Sequence, residues 1–165
     1  SPLRSGGGQV HLIPHMDWRA RLGLFAAALW WGSLTAIGAW AVPLLFVHLP
    51  TPSLAGQTAA RLFTAQTWVA LGCGAVLMAV ARQSAAREER EASPMAWANG
   101  ALAWVVAGVL LALLSEFAVA PRIVARQDLR LWHSVGSALF AAQWVCAGVA
   151  LWKVSGRRDR QAAEA

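Results

Sequence analysis

The chain reads as an all-α integral membrane protein, a four-helix bundle built from two repeated helical hairpins. Hydrophobic residues fill 58% of its 165 positions and charged residues 13%, against roughly 45–50% and about 25% in soluble domains. Four apolar runs, Leu22–Val47, Leu62–Ala81, Ala96–Ala120 and Leu131–Val154, each reach the ~20 residues that a helix needs to cross the hydrocarbon. Backbone amides find no water there, so the runs must close their own hydrogen bonds as helices. The third observation is internal similarity. "LFTAQTW" from Leu62 recurs as "LFAAQW" from Leu139, an offset of 77, and "AVP" ending at Pro43 is answered by "AVAP" ending at Pro121, an offset of 78. Each unit holds two spans, so two copies would share one orientation and be related by a pseudo-twofold along the membrane normal.

In chain order, residues 1–15 are polar and Gly-rich and precede Met16; they read as a non-native or disordered extension and are set aside. The four-span domain runs from 16 to 154. Its first run is too long for a signal-peptide core and stays as a span. Pro43 falls near the end of that run, where a lost amide bond is tolerated. "LPTPS" makes a turn, with Ser53 as the expected N-cap of a second helix starting near Leu54. The segment from Ala81 to Pro94 mixes both charge signs and reads as a solvated helical extension. Residues 155–165 form a basic cytoplasmic tail. Cys73 and Cys146 lie inside spans with no ligand spacing around them, so neither a disulfide framework nor a zinc site is indicated.

Lys and Arg set the orientation. Arg4, Arg19, Arg21, Arg82, Arg87, Arg90, Lys153, Arg157, Arg158 and Arg160 fall on one side, and only Arg61, Arg122, Arg126 and Arg130 on the other. The positive-inside rule then places both termini and the middle loop in the cytoplasm. Trp18, Trp97 and Trp152 fall at the inner interface and Trp40 and Trp132 at the outer, where indole rings anchor.

With "WAVPLLF", "AG" at Ala55-Gly56, "RLF" at Arg61–Phe63, Pro121 and "LWHSVGSALF" in place, the chain resembles the bacterial four-helix family called domain of unknown function 4149, related to animal transmembrane protein 205. The resemblance covers nearly all of 16–154. It implies four spans and a membrane address, and no activity.

Within this frame Glu116 stands out, because an intramembrane acid marks a functional or pairing site. It shares a helical stripe with Gly108 and Ala112, which turns it toward the bundle. Arg61, at a similar depth on the second span, is its expected partner in a buried ion pair. His48, Gln66, His133 and Gln143 form a candidate polar patch in the outer half of the bundle. Arg122, Arg126 and Arg130 recur every fourth residue and form a candidate anion or headgroup stripe on a helical extension past Pro121. The stripes Ala28, Gly32, Ala36 and Ala138, Ala142, Cys146, Ala150 signal close helix packing. No metal or cofactor site is expected.

Phosphate loops, paired carboxylates, nucleophile elbows and basic-aromatic grooves are all missing from the sequence, so neither an enzyme nor a nucleic-acid binder is expected. The expected role is a non-catalytic interaction or accessory subunit, in a lipid bilayer and within a homo-oligomer or larger complex. The alternative is a small permease-like protein moving a solute or ion through a homo-oligomer.

Overall fold

The computed structural model describes residues 18–88 and 100–163. The expected extension at 1–15, Trp97 and residues 89–94 of the charged segment lie outside the described residues, while its first part, to Glu88, continues the second span's helix as expected.

The first span is one continuous rod: α1 (Trp18–Ala36), a π-helical turn (Ile37–Ala41) and α2 (Val42–His48). A tight turn leads to α3 (Pro52–Glu88), the second span. The third rod joins α4 (Ala101–Leu114), a second π-helical turn (Ser115–Val119) and α5 (Ala120–Val124), and α6 (Leu129–Ala163) is the fourth. All four are long and apolar enough to cross a membrane. The fourth helix continues through Ala163, so much of the expected tail is its last turns.

The two π turns have a local cause. A proline has no amide hydrogen, and its ring collides with the carbonyl four residues back. Pro43 and Pro121 each follow a π turn by two residues, and widening that turn relieves the collision. The bonds confirm the wider pitch: Val42 N–H donates to Ile37 O and Ala120 N–H to Ser115 O, each five residues back. These bonds stand 78 residues apart.

The starts of α3 and α6 match in the same way. Leu54 N–H donates to Thr51 Oγ1 at 3.2 Å, and Leu131 N–H donates to Asp128 Oδ1 at 3.3 Å. Thr51, and not the expected Ser53, is therefore the cap, because the helix begins at Pro52, earlier than the apolar run.

The rods stand in a square. α1 packs mainly against α3 and α6, and α4 packs against the same two, which puts α3 and α6 on one diagonal and α1 and α4 on the other. Along its diagonal α1 sends in two fully buried side chains, Trp30 and Leu34, and α4 presents the small buried residues Gly108 and Ala112. A Cβ added at Gly108 would lie 2.8 Å from Trp30 Cη2 and 3.2 Å from Cys146 Cβ. Only glycine leaves room for that indole. The other diagonal is bridged by Phe63 and Phe140, edge to face with centroids 5.4 Å apart. The first and fourth spans are tied by Trp144, whose Nε1 donates to Thr35 Oγ1 at 2.8 Å and whose ring leans on Trp31. Outward faces carry bulky apolar side chains such as Phe25, Leu29 and Leu110, as a lipid-facing surface requires. Both cysteines are free and buried.

Candidate functional site

The polar chemistry gathers toward the end of the bundle that carries the two short turns. The second π turn positions Glu116, which is half-buried beside α3. Its carboxylate accepts a hydrogen bond from Thr64, whose Oγ1 lies 3.0 Å from Oε1 and 3.2 Å from Oε2.

The expected pairing with Arg61 is corrected here. Arg61 is exposed and forms no ion pair with Glu116. It lies three residues before Thr64, which on a helix places it about 60° farther round and about 4.5 Å nearer the turn end. That rotation carries the guanidinium off the side that meets the third span. A threonine one turn deeper does the work assigned to the arginine.

The expected patch of His48, Gln66, His133 and Gln143 separates into two environments. His48 and His133 are exposed, and His48 Nδ1 lies 3.1 Å from the Leu44 carbonyl of its own helix. Gln66 and Gln143 are core residues, 3% and 4% exposed. Among the described residues no three His, Cys, Asp or Glu side chains converge as a metal site would need.

The arginine stripe is also broken up. α5 ends at Val124, Arg126 takes a left-handed turn conformation with φ of 54°, and Arg130 belongs to α6. The three therefore do not share one helix face. Arg122 is engaged locally: its guanidinium donates to the Ala118 carbonyl and covers the Trp132 ring at 4.5 Å from the centroid.

Sequence reasoning passed over Thr64 and Ser115. Thr64 sits within "LFTAQTW", the segment used to recognise the similarity of the halves, and differs from its counterpart, Ala141. Ser115 opens the π turn with its Oγ buried and without a hydrogen-bond partner in the protein.

The rods, the apolar outward faces and the small polar set define a multi-pass membrane protein of the four-span helical-bundle class. The chain belongs to the family described as domain of unknown function (DUF4149), whose model matches residues 25–132, a segment that includes both π turns, Thr64 and Glu116. No curated protein and no solved structure matches it.

Proposed function

We propose that the protein is a non-catalytic accessory subunit of the bacterial inner membrane that receives a partner's transmembrane helix on its first span. The observation that supports this is the outward face of α1. Ala28 and Ala36 are exposed, and a Cβ added at Gly32 would meet nothing within 4 Å. This stripe lies opposite the buried face of Gly23, Ala26, Ala27, Trp30 and Leu34. Small residues at every fourth position on a lipid-facing surface leave a shallow groove in which a second helix can approach closely.

The test is the mass of the particle extracted with its native lipids, without detergent. A hetero-complex that disperses in the Gly32→Leu variant supports the reading. A homo-oligomer, or a monomer in both chains, sinks it.

Two further parts of the reading concern the chain itself. Cytoplasmic termini follow from the arginine and lysine distribution. Descent of both hairpins from one unit is supported by the matched prolines, π bonds and caps at offsets of 77 and 78.

The permease-like alternative draws support from the buried polar groups near the turn end. Against it, the core beyond Gln66 and Gln143 is lined by Ala70, Cys73, Leu77, Cys146, Ala147 and Ala150 around the Trp30 ring, and its further buried polar atom without a partner is the Trp30 Nε1. The polar groups stop partway across, so the interior suits holding a molecule better than passing one through.

A further inference from the structure

Gln66 and Gln143 occupy equivalent places on the diagonal pair α3 and α6. Each stands 14 residues past the first residue of its helix, Pro52 or Leu129, about 21 Å along the rod. Each also follows by three residues a member of the Phe63–Phe140 contact that bridges the diagonal. At a three-residue spacing side chains share a helix face, so the two amides enter the bundle just beneath the rings.

Neither amide is satisfied within the protein. Gln66 Nε2 and Oε1, Gln143 Nε2 and Ser115 Oγ are all buried without a hydrogen-bond partner in the protein, as is the Trp30 Nε1 of α1. Ser115 is near them in depth. The Thr64–Glu116 bond sets the register between the second and third spans, and in antiparallel rods it puts Gln66, two residues deeper, about level with residues 114–115. The close approach of Gly108 to Cys146 puts Gln143, three residues nearer the turn end, about level with Leu111. All three side chains thus fall within about one helical turn.

Orphaned polar atoms are rare in any protein interior, and inside a bilayer no solvent is at hand to satisfy them. We propose that Gln66, Gln143 and Ser115 line an internal site for a small uncharged hydrogen-bonding molecule, either water or a solute of similar size. The donor and acceptor inventory selects the occupant. Two carboxamide nitrogens offer only N–H, one amide oxygen only accepts, and the serine hydroxyl can do either. The occupant must therefore present lone pairs to several donors and give at least one hydrogen back. Water, a short alcohol or a small amide meets this requirement. An ion is disfavoured because these three side chains carry no charge, and Glu116 is engaged by Thr64 on the side of α3 away from Gln66, the two positions being about 160° apart round the helix. This site lies inside the bundle and does not depend on the helix-docking role proposed above.

The full-length protein in lipid nanodiscs provides the test. Thermal unfolding is compared for the wild type, Gln66→Leu, Gln143→Leu and the double variant, with circular dichroism verifying the helical fold. An occupied site predicts that each single variant loses about 2–4 °C or more, because one ring of hydrogen bonds opens and its other members are stranded. Orphans that hold nothing predict the reverse: each leucine raises the midpoint, and the double variant raises it most. That result overturns the proposal.

A second measurement separates the two sources of occupant. Wild-type protein is titrated with urea-free probes of the stated chemistry, ethylene glycol, formamide and acetamide. In parallel, the O–H stretching bands of internal water are followed by infrared difference spectroscopy on exchange of H₂¹⁶O for H₂¹⁸O. A probe that raises the wild-type midpoint but not that of the double variant identifies a solute site, and a band that moves with the oxygen isotope and is absent from the double variant identifies bound water. No response in either measurement overturns the proposal.

Discussion

Thr64 holds the Glu116 carboxylate, with its hydroxyl 3.0 and 3.2 Å from the two oxygens, and thereby joins the second span to the π turn of the third. Among the described residues no other side chain hydrogen-bonds Glu116, so Thr64 and Arg61 should respond unequally to substitution. Thr64→Val keeps the shape and strands a half-buried acceptor, which should cost about 1–3 kcal/mol. Arg61→Ala, at an exposed position, should stay within about 0.5 kcal/mol. Chemical unfolding in mixed micelles measures both. An Arg61→Ala loss as large as that of Thr64→Val would restore the arginine as the true partner.

Gly108 and Gly32 make a contrasting pair. Gly108→Ala drives a methyl to within 2.8 Å of the Trp30 ring and should destabilise by about 1–3 kcal/mol through overpacking. Replacing Trp30 by Leu in the same chain should recover part of that loss. Gly32→Ala meets nothing within 4 Å and should leave the isolated bundle unharmed or slightly more stable, because alanine is the better helix former by up to about 1 kcal/mol. Equal losses at both glycines would contradict the packing described for α1 and α4.

Pro121 should control the geometry of Glu116. Pro121→Ala restores an amide that can bond to the Phe117 carbonyl and lets the turn at Ser115–Val119 tighten to α. In a background with Cys73 and Cys146 replaced by alanine, cysteines at Thr64 and Glu116 should join through a short bifunctional reagent when Pro121 is present and join poorly when it is not. Cross-linking that ignores the proline would show that neighbouring spans, and not the ring, set the π turn.

The proposed orientation can be read by labelling. In the same cysteine-free background, cysteines at Thr51 and Gln127 should react with a membrane-impermeant reagent added from the periplasm, and one at Ser84 should not. Labelling at Ser84 with protection at Thr51 would invert the topology.

The substitution of one polar partner by another shows where sequence reasoning ends. Composition and run length alone determined four membrane-crossing helices, because a bilayer leaves the backbone no other way to satisfy its hydrogen bonds. The places of Pro43 and Pro121 were legible as well, but not that each ring would widen the turn before it to a π turn. Side-chain partnership is another matter. Arg61 and Thr64 are one turn apart and both are plausible neighbours of Glu116 in one dimension; the rotation of α3 about its axis, set by the packing of Ala59, Gln66, Ala70 and Leu77 into the core, selected Thr64. The same rotation drew Gln66 away from His48. The packing of α6 likewise turned Gln143 inward and left His133 exposed. The arginine spacing failed for a related reason, since the helix past Pro121 stops at Val124 and a four-residue period means nothing across a turn. Which faces meet is decided by bulk at the centre of the bundle, where Trp30 needs the space that Gly108 leaves, and that complementarity between residues far apart in the chain exists only once the four rods are packed together.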